Sequence, residues 1–280
     1  MLSYRHGFHA GNHADVLKHF ILVQLLDHLL QKDKAFWYVD THAGAAQYAL
    51  TDSTALKNAE FETGVGRLWG RRGLPKALES YIGQVRRLNP DGRKLRNYPG
   101  SPQIALQMLR PQDRLRLFEK HSTEIRILQK NLEGEVRRAI AYAGDGFEGL
   151  KAMLPPPSRR ALVLIDPSYE DKADYKRAKQ TLVDALARFA TGTYAIWYPL
   201  VQRRESRQLP GSLKLAGAPD WLHVSLTVKA PAADGYGLHG SGLFIVNPPW
   251  TLAGTLRQTM PWLVDTLAQD HEGTFLLETS

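Results

Sequence analysis

Asp166-Pro167-Ser168-Tyr169 directly follows the apolar run Ala161 to Ile165. A strand that stops at Asp/Asn-Pro-Pro-aromatic is a common grip on an exocyclic nucleobase amine destined for methylation; here the second proline is Ser168. An amine such as adenine N6 is a poor nucleophile because its lone pair is delocalised into the ring. Two acceptors that pull on its N–H groups localise that pair toward an electrophile. The Asp166 carboxylate is one acceptor and the Pro167 carbonyl the other, with Tyr169 stacked on the flipped base. A sulfonium methyl then needs only in-line placement at near-attack distance, and no metal. Methylation of a ring carbon commonly uses a cysteine nucleophile, and the chain has no cysteine. The plainer reading is that Asp-Pro-Ser simply starts a helix, since Asp and Pro both favour turns.

Three further strands end in an acid: Phe36 to Val39 at Asp40, Arg114 to Phe118 at Glu119, and Val136 to Ala143 before Gly144-Asp145-Gly146. One acid after a strand is usually a turn former or a helix cap. Four in succession converge on the sheet edge where α/β proteins bind ligands. Like charges gathered there would repel unless they had work to do. Each has a job with S-adenosylmethionine. Asp40-Thr41-His42-Ala43-Gly44 offers a turn that backbone can use to approach the amino-acid end. Glu119 suits a ribose diol. Asp145-Gly146-Phe147 offers an acceptor for the adenine amine and an aromatic wall. The turn is not G-x-G-x-x-G, and the chain carries neither a P-loop nor a G-x-S-x-G elbow.

The elements around these stops predict an α/β fold with a mostly parallel, doubly wound sheet. Residues 14–31 have helical periodicity, with Val16, Leu17, Phe20, Ile21 and Leu25 among the apolar positions. Helices are predicted over 102–110, with Ser101 as N-cap and Pro102 first, and over 122–133, with Ser122 placed to cap. Others follow at 147–153, 173–189 and 201–210. Strands are predicted at Leu162 to Ile165, Tyr194 to Tyr198, Leu222 to Val228 and Leu243 to Val246. A dinucleotide fold places its ribose acid about 20 residues after the glycine turn. The far longer gap to Glu119 marks 49–99 as a mainly helical insertion, leaving 1–48 and 100–280 as the main domain. Asn247-Pro248-Pro249-Trp250 is formally nearer to the amine-gripping pattern. Its late place in the chain assigns it instead to an outer strand.

The 280 residues suffice for one large domain with an insertion, and an apolar content of 43% is ordinary for a globular protein. No apolar run is long enough for a transmembrane helix, and the His-rich start is not read as a secretory signal. The absence of cysteine fits a cytoplasmic protein. Net charge is +8, and residues 51–100 contribute +5 of it. Such a field attracts nucleic acid, or is merely a solvated basic face. His6, His9, His13 and His19 lack an H-E-x-x-H pattern, so no metal is expected. They are read as part of an ordered arm over the site, with His19 near cofactor and Arg5 and Lys18 near phosphate.

MLSYRHGFHAGNHADVLKH at the start, DTHAG at 40–44, YPGSP at 98–102, Glu119, DGF at 145–147, LIDPSYE at 164–170, GTYAIWYP at 192–199 and NPPW at 247–250 together resemble bacterial 23S rRNA adenine-N6 methyltransferases of the RlmJ type. The resemblance runs essentially end to end. It implies a class I methyltransferase fold with a seven-stranded Rossmann-like sheet and a small helical insertion. It implies S-adenosyl-L-methionine as donor and one adenine of 23S rRNA as target; a monomer is expected. Lys18, His19, His42, Ser101, Glu119, Asp145, Gly146 and Asp166 are the implied cofactor contacts. Asp166 is the implied catalytic residue, with Pro167 and Tyr169 beside it, and Tyr4 and Arg5 lie on the substrate side. The family tetrapeptide is Asp-Pro-Pro-Tyr, so Ser168 is a departure. A proline there would hold Pro167 extended. Two other readings stay open: a DNA adenine-N6 methyltransferase, and a nucleic-acid-binding protein linked to use of external DNA.

Overall fold

Asn12 starts the longest helix: its side chain accepts from the N–H groups of Ala14 and Asp15 at the head of α1 (His13–Leu30). Residues 13 to 23 of α1 are all buried, because a helix that is apolar on nearly every side must be covered on every side. The computed structural model describes residues 6–280, so Tyr4 and Arg5 lie outside the described residues.

In chain order there follow β1 (Trp37–Asp40), β2 (Gln47–Ala49), α2 (Ser53–Asn58), α3 (Glu60–Thr63), α4 (Lys76–Arg87), β3 (Asn97–Pro99), α5 (Ser101–Met108), β4 (Arg114–Glu119), α6 (Ser122–Asn131) and β5 (Ala139–Ala143). Then come α7 (Gly146–Met153), β6 (Ala161–Ile165), α8 (Ala173–Arg188), β7 (Thr193–Leu200), α9 (Arg204–Lys214), β8 (Trp221–Thr227), β9 (Gly240–Val246), α10 (Leu252–Leu267) and β10 (Thr274–Thr279). The main sheet has the order β10-β8-β9-β7-β6-β1-β4-β5. Neighbours from β5 to β7 are parallel, whereas β9 runs antiparallel to both β7 and β8. Side chains alternate between two cores. Leu162 and Leu164 face one built with α1, and Val163 and Ile165 face the other, built with α7, α8 and α9. Helices on both faces explain why β6 is apolar at every position.

The sheet has eight strands, not the seven expected. The extra one, β10, pairs antiparallel with β8 along the edge. Neither it nor α10 stands out in the sequence, since Gly254 and Pro261 interrupt the α10 pattern and β10 is only half covered. Nor is β9 an outer strand: it lies between β7 and β8. Asn247 is removed from the site because β9 is antiparallel, which carries its end to the opposite sheet edge, where Asn247 Nδ2 donates to the Ala190 and Gly192 carbonyls.

Two predicted caps are also corrected. Gly100, not Ser101, caps α5, and the Ser101 hydroxyl turns inward to donate to Asp40 Oδ2 at 2.6 Å. His121, not Ser122, caps α6, accepting from the N–H groups of Thr123 and Glu124.

Between β2 and β3, which pair as a short antiparallel neck, the chain forms α2, α3 and α4. Leu78, Tyr81, Ile82 and Val85 of α4 enter the same core as α1. Some of the basic charge in this segment is structural. Arg67 donates to the carbonyls of Thr266 and Ala268, and Arg71 donates to Thr266 Oγ1 while stacking on Trp262. Charge counting could not separate these arginines, which fasten α10, from cations facing outward.

Candidate active site

Because β6, β1, β4 and β5 are neighbours and parallel, their carboxyl ends lie side by side. They open onto a cavity of about 610 Å³, within the usual range for a small-molecule site. Lys18, His19, His42, Ser101, Glu119, Asp145, Gly146, Asp166 and Pro167 all line it. Asp40 does not. Its carboxylate is fully buried behind the turn and accepts from Tyr38 Oη at 2.8 Å, Ser101 Oγ at 2.6 Å and the His42 N–H at 3.1 Å. Burial still raises its pKa, and those donors act against the rise.

The turn after β1 needs glycine. Gly44 has φ +60°, and a Cβ there would sit 2.3 Å from Tyr48 Oη. Its N–H donates to Glu119 Oε2 at 2.9 Å, and the His121 N–H donates to Oε1 at 2.6 Å. Both oxygens are thus held by backbone and keep further lone pairs toward the cavity, the arrangement a vicinal diol requires. Burial raises the Glu119 pKa despite these bonds. A Cβ on Gly146 would lie 1.9 Å from the Thr41 carbonyl oxygen, so only glycine lets α7 begin against the β1 turn.

Asp145 is more engaged than the sequence implies. Oδ1 accepts the Phe147 N–H at 3.0 Å, while Oδ2 pairs with Arg177 at 2.7 Å and Lys120 at 3.5 Å. Burial opposes its ionisation, but these partners hold the carboxyl below its ordinary value. Arg177 also stacks 4.4 Å from the Phe147 ring centroid. No local motif points to Arg177, which comes from α8. The His42 ring meets Phe147 edge-on at 4.7 Å, and burial drops its pKa to about 3, so it is neutral near pH 7.

At the end of β6, Lys18 Nζ lies 2.7 Å from Asp166 Oδ2 and 2.9 Å from Asp15 Oδ1. Asp15 Oδ2 in turn accepts the Gly11 N–H at 2.9 Å and lies 2.8 Å from His6 Nε2. Lys18 is therefore not a phosphate contact: its ammonium is buried between two carboxylates, which keep it charged against desolvation. Asp15 was missed because it joins the site only through Lys18, whose other partner, Asp166, lies 148 positions along the chain. Asp166 Oδ1 is hydrogen-bonded by none of the described residues. Burial raises the Asp166 pKa to about 6, with Lys18 pulling the other way. The acceptor role needs the ionised form, so kcat/KM for methyl transfer is expected to fall as pH drops below about 6. A pH–rate profile that stays flat to pH 4.5 would exclude this role. The same shift favours the protonated form in the fold. Its contribution to stability is full below the ordinary carboxylate pKa and is lost as pH rises through about 6.

Tyr169 does not face the cavity. Its φ of 55° folds the side chain back beneath the loop, where it is 2% exposed. The ring packs 4.4 Å from Tyr175, and Oη donates to the Trp197 carbonyl at 2.7 Å. An enclosed ring has no open face for a base, so the expected stacking role falls away. Trp197, read from the sequence only as part of a strand, does line the cavity. His19 is fully buried, with Nδ1 2.7 Å from Tyr98 Oη, and its Nε2 has no hydrogen-bond partner among the described residues. No group of three or more His, Cys, Asp or Glu among the described residues is placed to hold a metal ion.

A Rossmann-like sheet with one antiparallel strand wedged in after its parallel run is the fold of the class I methyltransferases, which take their methyl group from S-adenosyl-L-methionine. The family model described as "Ribosomal RNA large subunit methyltransferase D, RlmJ" matches residues 33–278, and the chain belongs to that family. It is 42% identical over 278 residues to "Ribosomal RNA large subunit methyltransferase J" of Haemophilus influenzae, covering 99% of this chain and 98% of the relative. It is 45% identical over 273 residues to the protein of the same name in Escherichia coli K12, covering 98% and 96%. Among solved structures, protein LPL1258 of Legionella pneumophila superposes with a TM-score of 0.89 at 35% identity, covering 97% of this chain and 98% of that one.

Proposed function

We propose that this protein transfers a methyl group from S-adenosyl-L-methionine to N6 of one adenine in 23S rRNA. The observation that carries the reading is the Asp166 carboxylate at the cavity wall, with one oxygen tied to Lys18 and the other open to accept an amine N–H. The Pro167 carbonyl is the second acceptor. Trp197 replaces Tyr169 as the aromatic at the wall. The names of the relatives support rRNA of the large subunit as substrate.

The residues present fit the cofactor. Glu119, pinned by two backbone N–H groups, suits its ribose, and Phe147 with His42 walls its adenine. Gly146 and Gly44 leave room that side chains would fill. His19 Nε2, Ser101 and the Lys18–Asp166 pair stand on the amino-acid side. When bound, S-adenosylmethionine supplies an electrophilic sulfonium methyl. The protein's part is to localise the amine lone pair, orient the base and exclude water.

Segment 49–99 is proposed to act as an insertion that widens the RNA-facing surface, with 1–48 and 100–280 forming the catalytic domain. No helix among the described residues is long and apolar enough to cross a membrane. A cytoplasmic monomer, with Tyr4 and Arg5 on the substrate side, completes the proposal.

The test is transfer of labelled methyl to naked 23S rRNA, assembled large subunits and duplex DNA. Label on rRNA at adenine N6 is the expected result; label on duplex DNA alone overturns the reading. Ser168 sharpens the test. The loop is pinned from beyond the serine, because Tyr169 Oη is bonded to Trp197 and the Tyr169 carbonyl accepts from Arg203 Nη1 at 3.0 Å. The native enzyme is therefore expected to be active, and Ser168→Pro to raise kcat by no more than about two- to fivefold, the size of a proline entropy effect. An inactive native enzyme rescued by the proline would refute this.

A further inference from the structure

The loop from Val228 to His239 joins β8 to β9, and because β9 is antiparallel to β7 this loop overhangs the edge that carries Asp166. Gly237 and Leu238 line the cavity. Between Gly235 at φ +78° and Gly237 at φ +93°, Tyr236 stands off the surface with 81% of its area exposed. Both glycines occupy the left-handed region that side chains disfavour, so the chain uses them to push this ring outward. The loop is well tied. Tyr236 N–H donates to Asp234 Oδ1 at 3.0 Å, and Gly235 N–H to the Ala232 carbonyl at 2.9 Å. Gln202 Nε2 donates to the same Ala232 carbonyl at 2.9 Å, and the Ala230 N–H donates to Asp270 Oδ2 at 2.8 Å.

What sets Tyr236 apart from other exposed apolar side chains is its place, on a loop that lines the cavity and is bonded to Gln202. Beside its Gln202 anchor stand Arg203 and Arg204, both exposed and neither in an ion pair among the described residues. Arg203 also touches the carbonyl of Tyr169 in the Asp-Pro-Ser-Tyr loop. An exposed ring on a loop that reaches the cavity and is bonded to the residue before two exposed arginines supplies what binds single-stranded nucleic acid: stacking for a base and charge for the backbone.

We infer that Tyr236 stacks on an unpaired rRNA base next to the methylated adenine, with Arg203 and Arg204 holding the adjoining phosphates. The inference rests on the rRNA reading above and adds a substrate-recognition site outside the catalytic pocket. It predicts a target adenine in an unpaired stretch, because a base inside a duplex offers no free face.

The test compares Tyr236→Ala and Tyr236→Trp with the native enzyme on a 23S rRNA transcript. Cofactor affinity is read by calorimetry and RNA affinity by filter binding. Tyr236→Ala is expected to weaken RNA binding and raise KM by about five- to 150-fold, with cofactor affinity unchanged. Tyr236→Trp keeps a stacking face and is expected to remain within about threefold of native. Unchanged RNA affinity in the alanine variant, or an equal loss in the tryptophan variant, overturns the inference. If the native enzyme transfers no methyl to the transcript, the proposed function fails. Filter binding then still decides whether Tyr236 contacts RNA.

Discussion

Asp166→Ala is expected to lower kcat for methyl transfer by about 10²- to 10⁴-fold, the span seen when a positioned acid–base group or transition-state partner is removed. The amine nitrogen gains positive charge as it attacks, and its N–H bonds to a carboxylate strengthen at that moment. An interaction that grows toward the transition state appears in kcat rather than KM. Stability should move the other way or not at all. Burial lifts the Asp166 pKa to about 6, so its ionised form is held at a cost near neutral pH. Alanine removes that cost and leaves Lys18 still paired with Asp15 at 2.9 Å. Rate assays with thermal melts check both halves. Near-native turnover would show that the amine is gripped elsewhere, and a large drop in Tm would show a structural role for Asp166.

Lys18→Met should be the reverse case, with fold and activity lost together. One ammonium balances two carboxylates whose side chains are only 2% and 13% exposed. Removing the central charge of a buried pair costs about 3–5 kcal/mol because the remaining charges stay desolvated. Urea unfolding at pH 7 should show that loss. Part of it should return near pH 5, where Asp166 without its cation binds a proton more readily. Any residual activity should have its acidic limb above pH 6, since Lys18 is what restrains the rise in the Asp166 pKa. A loss under about 1 kcal/mol would mean that water, not Lys18, balances these carboxylates.

The site was legible where its parts are local. Strand Ala161–Ile165 is apolar throughout and stops at Asp166, and the other three acids stop three more strands. Parallel pairing then sets those ends side by side without further information. Ser101 was legible as a site residue but not as a partner. From the sequence it looks like a helix cap, and only the approach of α5 to β1 turns its hydroxyl onto Asp40. The charge of 49–99 was visible, yet the arginines that clasp α10 were not separable from those that face solvent.

By itself the sequence determined the α/β class, the sheet edge that carries the cavity and three of the acids that line it, because strand periodicity and strand-ending turns depend on neighbours a few residues away. Tertiary structure decided which aromatic faces the cavity. Tyr169 lies in the motif but turns under at positive φ, and Trp197 comes from the next strand. It also decided the electrostatics of Asp166, since Lys18 reaches it from a helix 148 residues away. Charge balance in a buried site depends on distance through space, and distance along the chain carries almost none of it.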